Sequence, residues 1–174
     1  MKSSDIEIRR LGPADALAYR ELRLRGLREH PDAFTSSHEE EAGKPVDAVL
    51  ARLGEGAREA VYGAFEAGNL VGVVGFGRKP RAKNRHKATV FGMYVAPEHA
   101  RRGIGSALLE GLIDGARRQQ GLEQLILTVT QTNAAASALY ERSGFRSFGV
   151  EPRAIRVGDT YFDKNHMILF LAKT

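Results

Sequence analysis

There is no cysteine anywhere in the 174 residues. Disulfides, thiolate nucleophiles and thiolate metal ligands are therefore excluded, and nothing points to an oxidising, exported setting. No apolar run approaches the roughly 20 residues that a membrane helix needs. The opening segment, Met1-Lys2-Ser3-Ser4-Asp5, lacks the apolar core of a signal peptide. The cytoplasm is the default compartment, and no membrane partner is expected. The five histidines, His30, His38, His86, His99 and His166, show no metal-ligand spacing, so no metal is expected. No G-x-x-x-x-G-K-[ST] phosphate loop occurs. Internal repeats and low-complexity linkers are absent.

What is present suits one globular domain over residues 1–174, with 43% hydrophobic residues. Lysine and arginine number 26 against 21 acids, a formal charge of +5. That excess favours anionic partners. A phosphorylated cofactor gives the same sign as a nucleic acid and ranks ahead of it.

Along the chain, Ile6 to Arg9 alternates like an edge strand. Gly12-Pro13 opens a helix on which Leu17, Leu24 and Leu27 recur, and Pro31 ends it. His38 to Leu53 predicts a second, more polar helix interrupted near Gly43 and Pro45. Val61 to Phe65 and Leu70 to Phe76 are strands around a Gly68-Asn69 turn. Arg78 to Lys87 is a basic loop. Thr89 to Val95 is continuously apolar, which predicts a strand buried on both faces. A helix after Gly103 carries Ile104, Leu108 and Leu112 on one stripe, with Leu109, Ile113 and Ala116 beside it. Leu125 to Thr130 is another buried strand. Asn133 caps a short helix through Arg142, and Gly144 ends it. Phe145 to Val150 and Tyr161 to Leu171 close the chain as strands around Gly158-Asp159. Strands and helices in this order predict a mixed α/β sheet with helices packed on it.

The segment from Val90 to Leu109 carries the strongest functional signal. A strand ends at Val95, and a polar turn follows with Arg101 and Arg102. Gly103-Ile104-Gly105-Ser106 then starts a helix. Such a turn leaves backbone N–H groups at the positive helix end, where they can hold phosphate oxygens. The glycines let a ligand approach the backbone closely. The stretch therefore reads as a pyrophosphate site. A Rossmann fingerprint fails, since Leu108 stands where its third glycine belongs and Gln131 where its acid belongs.

Two motifs together resemble the GNAT superfamily of acetyl-CoA-dependent N-acetyltransferases. One is Met93-Tyr94-Val95, Pro97-Glu98 and Arg101 through Leu109. The other is Asn133 through Phe145, matching N-x-x-A-x-x-L-Y-x-x-x-G-F, with Ala136 as its alanine. The resemblance implies an α/β (α+β mixed) fold. It has a central, mostly antiparallel twisted sheet of about seven strands with about four helices, splayed between strands 4 and 5. The implied cofactor is acetyl-CoA. Backbone groups of Met93, Tyr94 and Val95 would take its pantetheine arm as an added strand. Arg101, Arg102, Gly103, Ile104, Gly105 and Ser106 would take the pyrophosphate. Asn133 and Ala136 would flank the arm. One departure is Ala100, where the family usually has glutamine or arginine.

Tyr140 would lie near the thioester sulfur. Its hydroxyl, with an ordinary pKa near 10, can give a proton to the leaving thiolate as general acid. With no cysteine to hold an acyl group, direct attack by the amine in a ternary complex is expected. The acceptor is a primary amine of a small molecule or peptide. Phe34, Ser36 and Ser37, between the first two helices, are acceptor-site candidates. Tyr161 or Phe162 can line the same pocket. His38, Glu39, Glu40, Glu41 and Glu151 are candidate bases, as is a water chain to a remote carboxylate. The resemblance also makes a homodimer an available assembly. Two alternatives stand beside the enzyme: a non-catalytic acyl-CoA-binding sensor, and a binder of nucleic acid or acidic protein through the basic loop 78–87. That loop has no phenylalanine, tyrosine or tryptophan for base stacking, and a solvated hairpin tip explains it better.

Overall fold

Proline, glycine and capping side chains punctuate the chain into seven strands and five helices in a computed structural model that describes residues 5–171. In chain order these are β1 (Ile6–Arg10), α1 (Ala16–Glu29), α2 (His38–Ala42), α3 (Val46–Leu53), β2 (Glu59–Glu66), β3 (Asn69–Arg78) and β4 (Lys87–Val95). Then come α4 (Ile104–Arg117), β5 (Gln124–Thr130), α5 (Ala134–Arg142), β6 (Arg146–Val157) and β7 (Thr160–Phe170). Met1 to Ser4, examined above for a leader, lies outside the described residues. No described helix is long and apolar enough to cross a membrane.

The seven strands form one sheet in the order β1-β2-β3-β4-β5-β7-β6. Neighbours are antiparallel except β4 and β5, which run parallel. Two apolar clusters cover the two faces. Ala16, Tyr19 and Leu22 of α1 and Leu53 of α3 pack with Val61, Phe65, Val73 and Tyr94 on one face. The stripe on α4 and Tyr140 of α5 pack with Val74, Phe76, Val90, Leu125 and Met167 on the other.

The polar third of the chain follows its caps. Asp15 accepts from the Gly12 N–H at 2.9 Å and takes Arg9 bidentately at 2.9 Å. Those bonds start the turn that leads into α1. On α1 the inward positions are Ala16, Tyr19, Leu22 and Leu27, whereas Leu17 is 73% exposed. The leucine spacing therefore misjudged the buried face, because Tyr19 and Gly26, not Leu17, meet the sheet. On α4 the expectation holds: Ile104, Leu108, Leu109, Leu112, Ile113 and Ala116 are all buried. Each large side chain there contributes about 1.5–3 kcal/mol, so the start of α4 is firmly seated.

β4 departs from its expectation. Its burial alternates, and the residues from Phe91 to Met93 are only half-buried. The strands that are continuously buried are β2 and β3, which carry a helix layer on both sides. An apolar run alone cannot distinguish a covered strand from one that borders a cleft. β4 also carries a bulge. Val73 pairs with Tyr94 and Gly75 with Phe91, so β4 holds one residue more than β3 between these pairs. Gly92 takes the left-handed φ of +66° there. The extra residue switches the alternation. Ala88 and Val90 before it face α4, and so do Met93 and Val95 after it.

Candidate active site

β4 and β5 pair only through Lys87–Gln124, Ala88–Leu125 and Thr89–Ile126. Beyond Thr89 the strands diverge. The C-terminal half of β4 therefore keeps main-chain groups on its β5 side that no ladder consumes. A cavity of about 540 Å³ occupies the gap. Its walls include Met93, Tyr94 and Val95, then Ala100, Arg101, Gly103, Ile104, Gly105 and Ser106, and across from them Asn133, Ala136 and Leu139. Thus three separate sequence segments meet in one place, as the two motifs imply.

The glycine turn is open where a phosphate would sit. Gly103 caps α4 with φ +76°, and no side chain caps the helix. The N–H groups of Ile104, Gly105 and Ser106 therefore keep the orphan character of a first helical turn. Nothing lies within 4 Å of a Cβ built on Gly103, whereas one on Gly105 would come 3.1 Å from Leu139 of α5. The turn is thus a shallow cradle between two helix starts, and its fit to a diphosphate is good. Arg101, itself at φ +61°, lines it.

Arg102 does not. Its guanidinium reaches back to Glu66 at 3.0 and 2.6 Å, and His99 Nδ1 lies 2.7 Å from the same carboxylate. The side chain fixes the turn to the end of β2 rather than lining the cavity. Glu98 beside it is held by Arg25, at 2.7 and 2.8 Å, and that pair keeps its carboxyl down at about 2.

Asn133 takes the capping role expected of it. Its Oδ1 accepts from the Ala136 N–H at 3.2 Å, capping α5, and the residue borders the cavity. From there the wall follows α5 as Asn133, Ala136, Leu139 and Arg142. That is an i, i+3 stripe. Tyr140 lies about 100° round the helix from Leu139. Its ring is buried, 5.9 Å from Phe145 in an edge-on contact, and it is not part of the cavity wall. Burial pushes its hydroxyl up to about 12. The hydroxyl makes no hydrogen bond among the described residues.

Of the acceptor candidates, Phe34 reaches the wall and the others do not. Ser37 and Glu40 close a capping box on α2, with Glu40 N–H to Ser37 Oγ at 3.1 Å and Ser37 N–H to Glu40 Oε2 at 2.9 Å. Their polar groups are used in starting that helix. Ser36 lies in the turn before it. Glu41 is bound by Lys44 at 2.7 Å. Burial pushes its carboxyl up, but Lys44 and the guanidiniums of Arg23 and Arg52 outweigh that and hold it down. Glu151 meets His166 at 2.9 Å on β6. With β7 between β6 and β5, it stands two strand spacings, about 10 Å, from the nearer cavity strand. Tyr161 is 48% exposed and sits under Arg153 and Arg156, with ring distances of 5.0 and 5.5 Å.

Sequence reading missed the part of the wall made by the end of α1, namely His30 and Ala33. Pro31 marked this segment only as a helix stop. Its placement depends on long-range bonds. Thr130 Oγ1 donates to Asp32 O at 2.5 Å, and Lys164 Nζ donates to Ala33 O at 3.2 Å. The α1–α2 connection is thereby tied across the gap to β5 and β7. Lys164 is 3% exposed, and burial pulls its ammonium below the ordinary lysine range. The Tyr94 hydroxyl donates to Glu29 Oε2 at 2.5 Å on the α1 side. Tyr94 thus borders the cavity while its ring anchors α1.

Comparison with known proteins fits this geometry. The Acetyltransferase (GNAT) family model matches residues 24–145. The [Ribosomal protein bS18]-alanine N-acetyltransferase of Escherichia coli (strain K12) is 49% identical over 59 residues, covering 34% of this chain and 39% of that protein's length. The L-methionine sulfoximine/L-methionine sulfone acetyltransferase of Pseudomonas paraeruginosa is 29% identical over 108 residues, 62% of each. A putative acetyltransferase from Salmonella typhimurium, solved with acetyl-CoA, superposes with a TM-score of 0.84 at 27% identity, covering 98% of this chain and 96% of that one. With the splayed sheet, the glycine turn and the α5 stripe in place, the chain belongs to the GNAT family of acetyltransferases.

Proposed function

We propose that this chain moves an acetyl group from acetyl-CoA to a primary amine of a small molecule or peptide, by direct attack in a ternary complex. One observation carries the reading. The uncapped start of α4, the unladdered half of β4 and the Asn133 stripe border a single cavity. Residues 1–174 are read as one domain, and the cytoplasm as its setting.

Acetyl-CoA, when bound, supplies an acetyl thioester. The chain's own contribution is positional and electrostatic. The first-turn N–H groups of α4 and the Arg101 guanidinium hold the diphosphate. Main-chain groups of Met93 to Val95 hold the pantetheine arm as an added strand. An N–H on the bulged stretch of β4 can donate to the carbonyl oxygen as it gains charge. His30 and Phe34 form the amine's approach. His30 takes the ammonium proton there, imidazole being the side chain most often used for such a transfer. Tyr140 keeps its proton at neutral pH and is the candidate donor to the leaving thiolate, a role that needs its hydroxyl within hydrogen-bond reach of the sulfur in the loaded enzyme.

The test has two stages. Titration calorimetry with acetyl-CoA reads the cradle. Thiol release is then followed against a panel of L-methionine sulfone, polyamines, aminoglycosides and peptides with N-terminal alanine. Cofactor binding with turnover of one amine class supports the proposal; no heat with acetyl-CoA removes it. The separation of Tyr140 from the cavity wall favours one rival, a non-catalytic acyl-CoA-binding module. Tight cofactor binding with no amine turned over would favour that rival.

A further inference from the structure

We propose that the pole opposite the cofactor cavity binds the phosphodiester backbone of a nucleic-acid duplex. From Ala67 to Pro97 the chain has no aspartate or glutamate, yet Arg78, Lys79, Arg81, Lys83, Arg85 and Lys87 fall within it. These six bracket the hairpin loop between β3 and β4. Arg58, just before β2, joins them around a concavity of about 660 Å³ with Arg78, Lys79 and Arg85 in its wall. β4 is nine residues long. At about 3.3 Å per residue, the loop lies some 25–30 Å from the glycine turn at its other end. The two sites are separate.

Charge pairing sets this pole apart. Elsewhere Arg9, Arg25, Arg52 and Arg102 each hold a carboxylate at 3.0 Å or less. None of the seven cations at this pole takes part in an ion pair among the described residues. The carboxylates nearest in the chain do not compensate. Glu59 is taken by Arg52 at 2.5 Å, and Glu55 and Glu123 pair with none of the seven. Crowding like charges without counterions costs stability, and a bound polyanion recovers that cost.

The loop is also built rather than loose. Lys79 N–H bonds Lys87 O at 3.0 Å, Asn84 N–H bonds Arg81 O at 2.9 Å, and Lys87 N–H bonds Asn84 O at 3.0 Å. Arg78 Nε donates to Arg85 O at 2.5 Å. The Arg78 guanidinium also lies against Gly121, where a Cβ would come within 3.1 Å of Nη2. Glu123 and Gln124 N–H groups bond His86 O at 2.8 and 3.1 Å, fastening the loop to β5. The cations are thus presented on a fixed frame.

The lining chooses the partner. Apart from Pro80 and Ala82 it has no apolar side chain, so the desolvated anchor of a protein–protein interface is missing. No phenylalanine, tyrosine or tryptophan ring lines it to stack an unpaired base, and His86 is the one aromatic ring there. A polar, strongly positive and concave surface is what a duplex backbone meets. Guanidiniums fit its phosphates in a fork geometry. Such contacts position a duplex without reading its bases.

The test uses fluorescence anisotropy with labelled 20-base-pair RNA and DNA duplexes, from 50 to 200 mM salt. The wild-type chain is expected to bind at 50 mM salt and weaken steeply, the slope of log K against log salt growing by about 0.9 per phosphate engaged. K79Q/R81Q/K83Q/R85Q should bind at least about 10-fold more weakly at 50 mM salt, with a slope shallower by about 3–4. Its acetyl-CoA affinity should be unchanged, since none of these residues borders the cavity. If that variant fails to fold, the exposed pair R81Q/K83Q should lower the slope by about 2. A preference for RNA or for DNA identifies the source, equal binding marks a backbone contact common to both, and each of these outcomes supports the backbone reading. Overturning results are no binding of either duplex at 50 mM salt, an unaltered slope in the variants, or equal affinity for polyglutamate.

Discussion

Removing the Tyr140 hydroxyl separates chemistry from folding. The ring is 8% exposed and rests on Phe145, so Y140F keeps the packing. The hydroxyl has no hydrogen-bond partner among the described residues. Among the described residues it is not one of the buried polar atoms that lack a partner, so it keeps contact with solvent and its removal releases no desolvation cost. Y140F should therefore melt within about 2 °C of wild type, at about 2–4 °C per kcal/mol for this size. Catalysis should move the other way. A positioned general acid contributes about 10²–10⁴-fold. The Tyr140 proton, with its pKa pushed up to about 12, is held more tightly than that of a thiol near 8.5. Complete transfer is uphill, and donation to the thiolate is partial. The lower bound applies: kcat should fall about 100-fold, or about 2.7 kcal/mol. Affinity for acetyl-CoA by calorimetry should stay within about twofold, because the wall is made by Leu139 and Ala136. Thiol release with the best amine of the panel measures kcat, and differential scanning fluorimetry measures Tm. A kcat within threefold of wild type refutes the proton-donor role. A Tm lower by more than about 2 °C refutes the claim that the ring alone carries the packing.

Three further outcomes follow from the geometry. R101A should weaken acetyl-CoA binding about tenfold, since a charge-assisted phosphate contact contributes about 1.5 kcal/mol. R102A should weaken it less, because that guanidinium holds Glu66; calorimetry showing the reverse order would contradict the assignment. G26A should cost about 1–3 kcal/mol in urea unfolding. Its new Cβ would sit 2.9 Å from the Tyr94 ring, which is pinned in the core and cannot yield. D15N tests linkage. The Asp15 carboxyl is lowered first by its hydrogen bonds to Arg9, so its stabilising effect is full above the unfolded carboxyl pKa and lost as pH falls through the folded value. D15N should cost about 1 kcal/mol at pH 7 and less at about pH 3, below the unfolded carboxyl pKa. An equal cost at both pH values in denaturant titrations would sink this.

Local chemistry made much of the molecule legible. The α4 stripe, the glycine turn, the Asn133 cap and the strand order follow from periodicity, glycine conformation and capping, all of which act within a few residues. The cradle could be read because main-chain N–H groups at a helix start point the same way whatever surrounds them. Side-chain destinations were less legible. Arg102 beside Arg101 looked like a second phosphate ligand, yet Glu66, far away in the chain, takes it. Ser37 and Glu40 looked available, and each satisfied the other.

Residue order alone settled which segments would be strands and helices, and that a glycine-rich helix start would follow the fourth strand. Only the assembled sheet decided where the cleft opens and what lines it. β4 and β5 part after three paired residues, and a bulge at Gly92 resets which side chains face α4. Thr130 and Lys164 draw the end of α1 across that gap and bring His30 into its wall. These contacts join residues about a hundred positions apart. No window along the chain holds both partners, so folding alone brings them together.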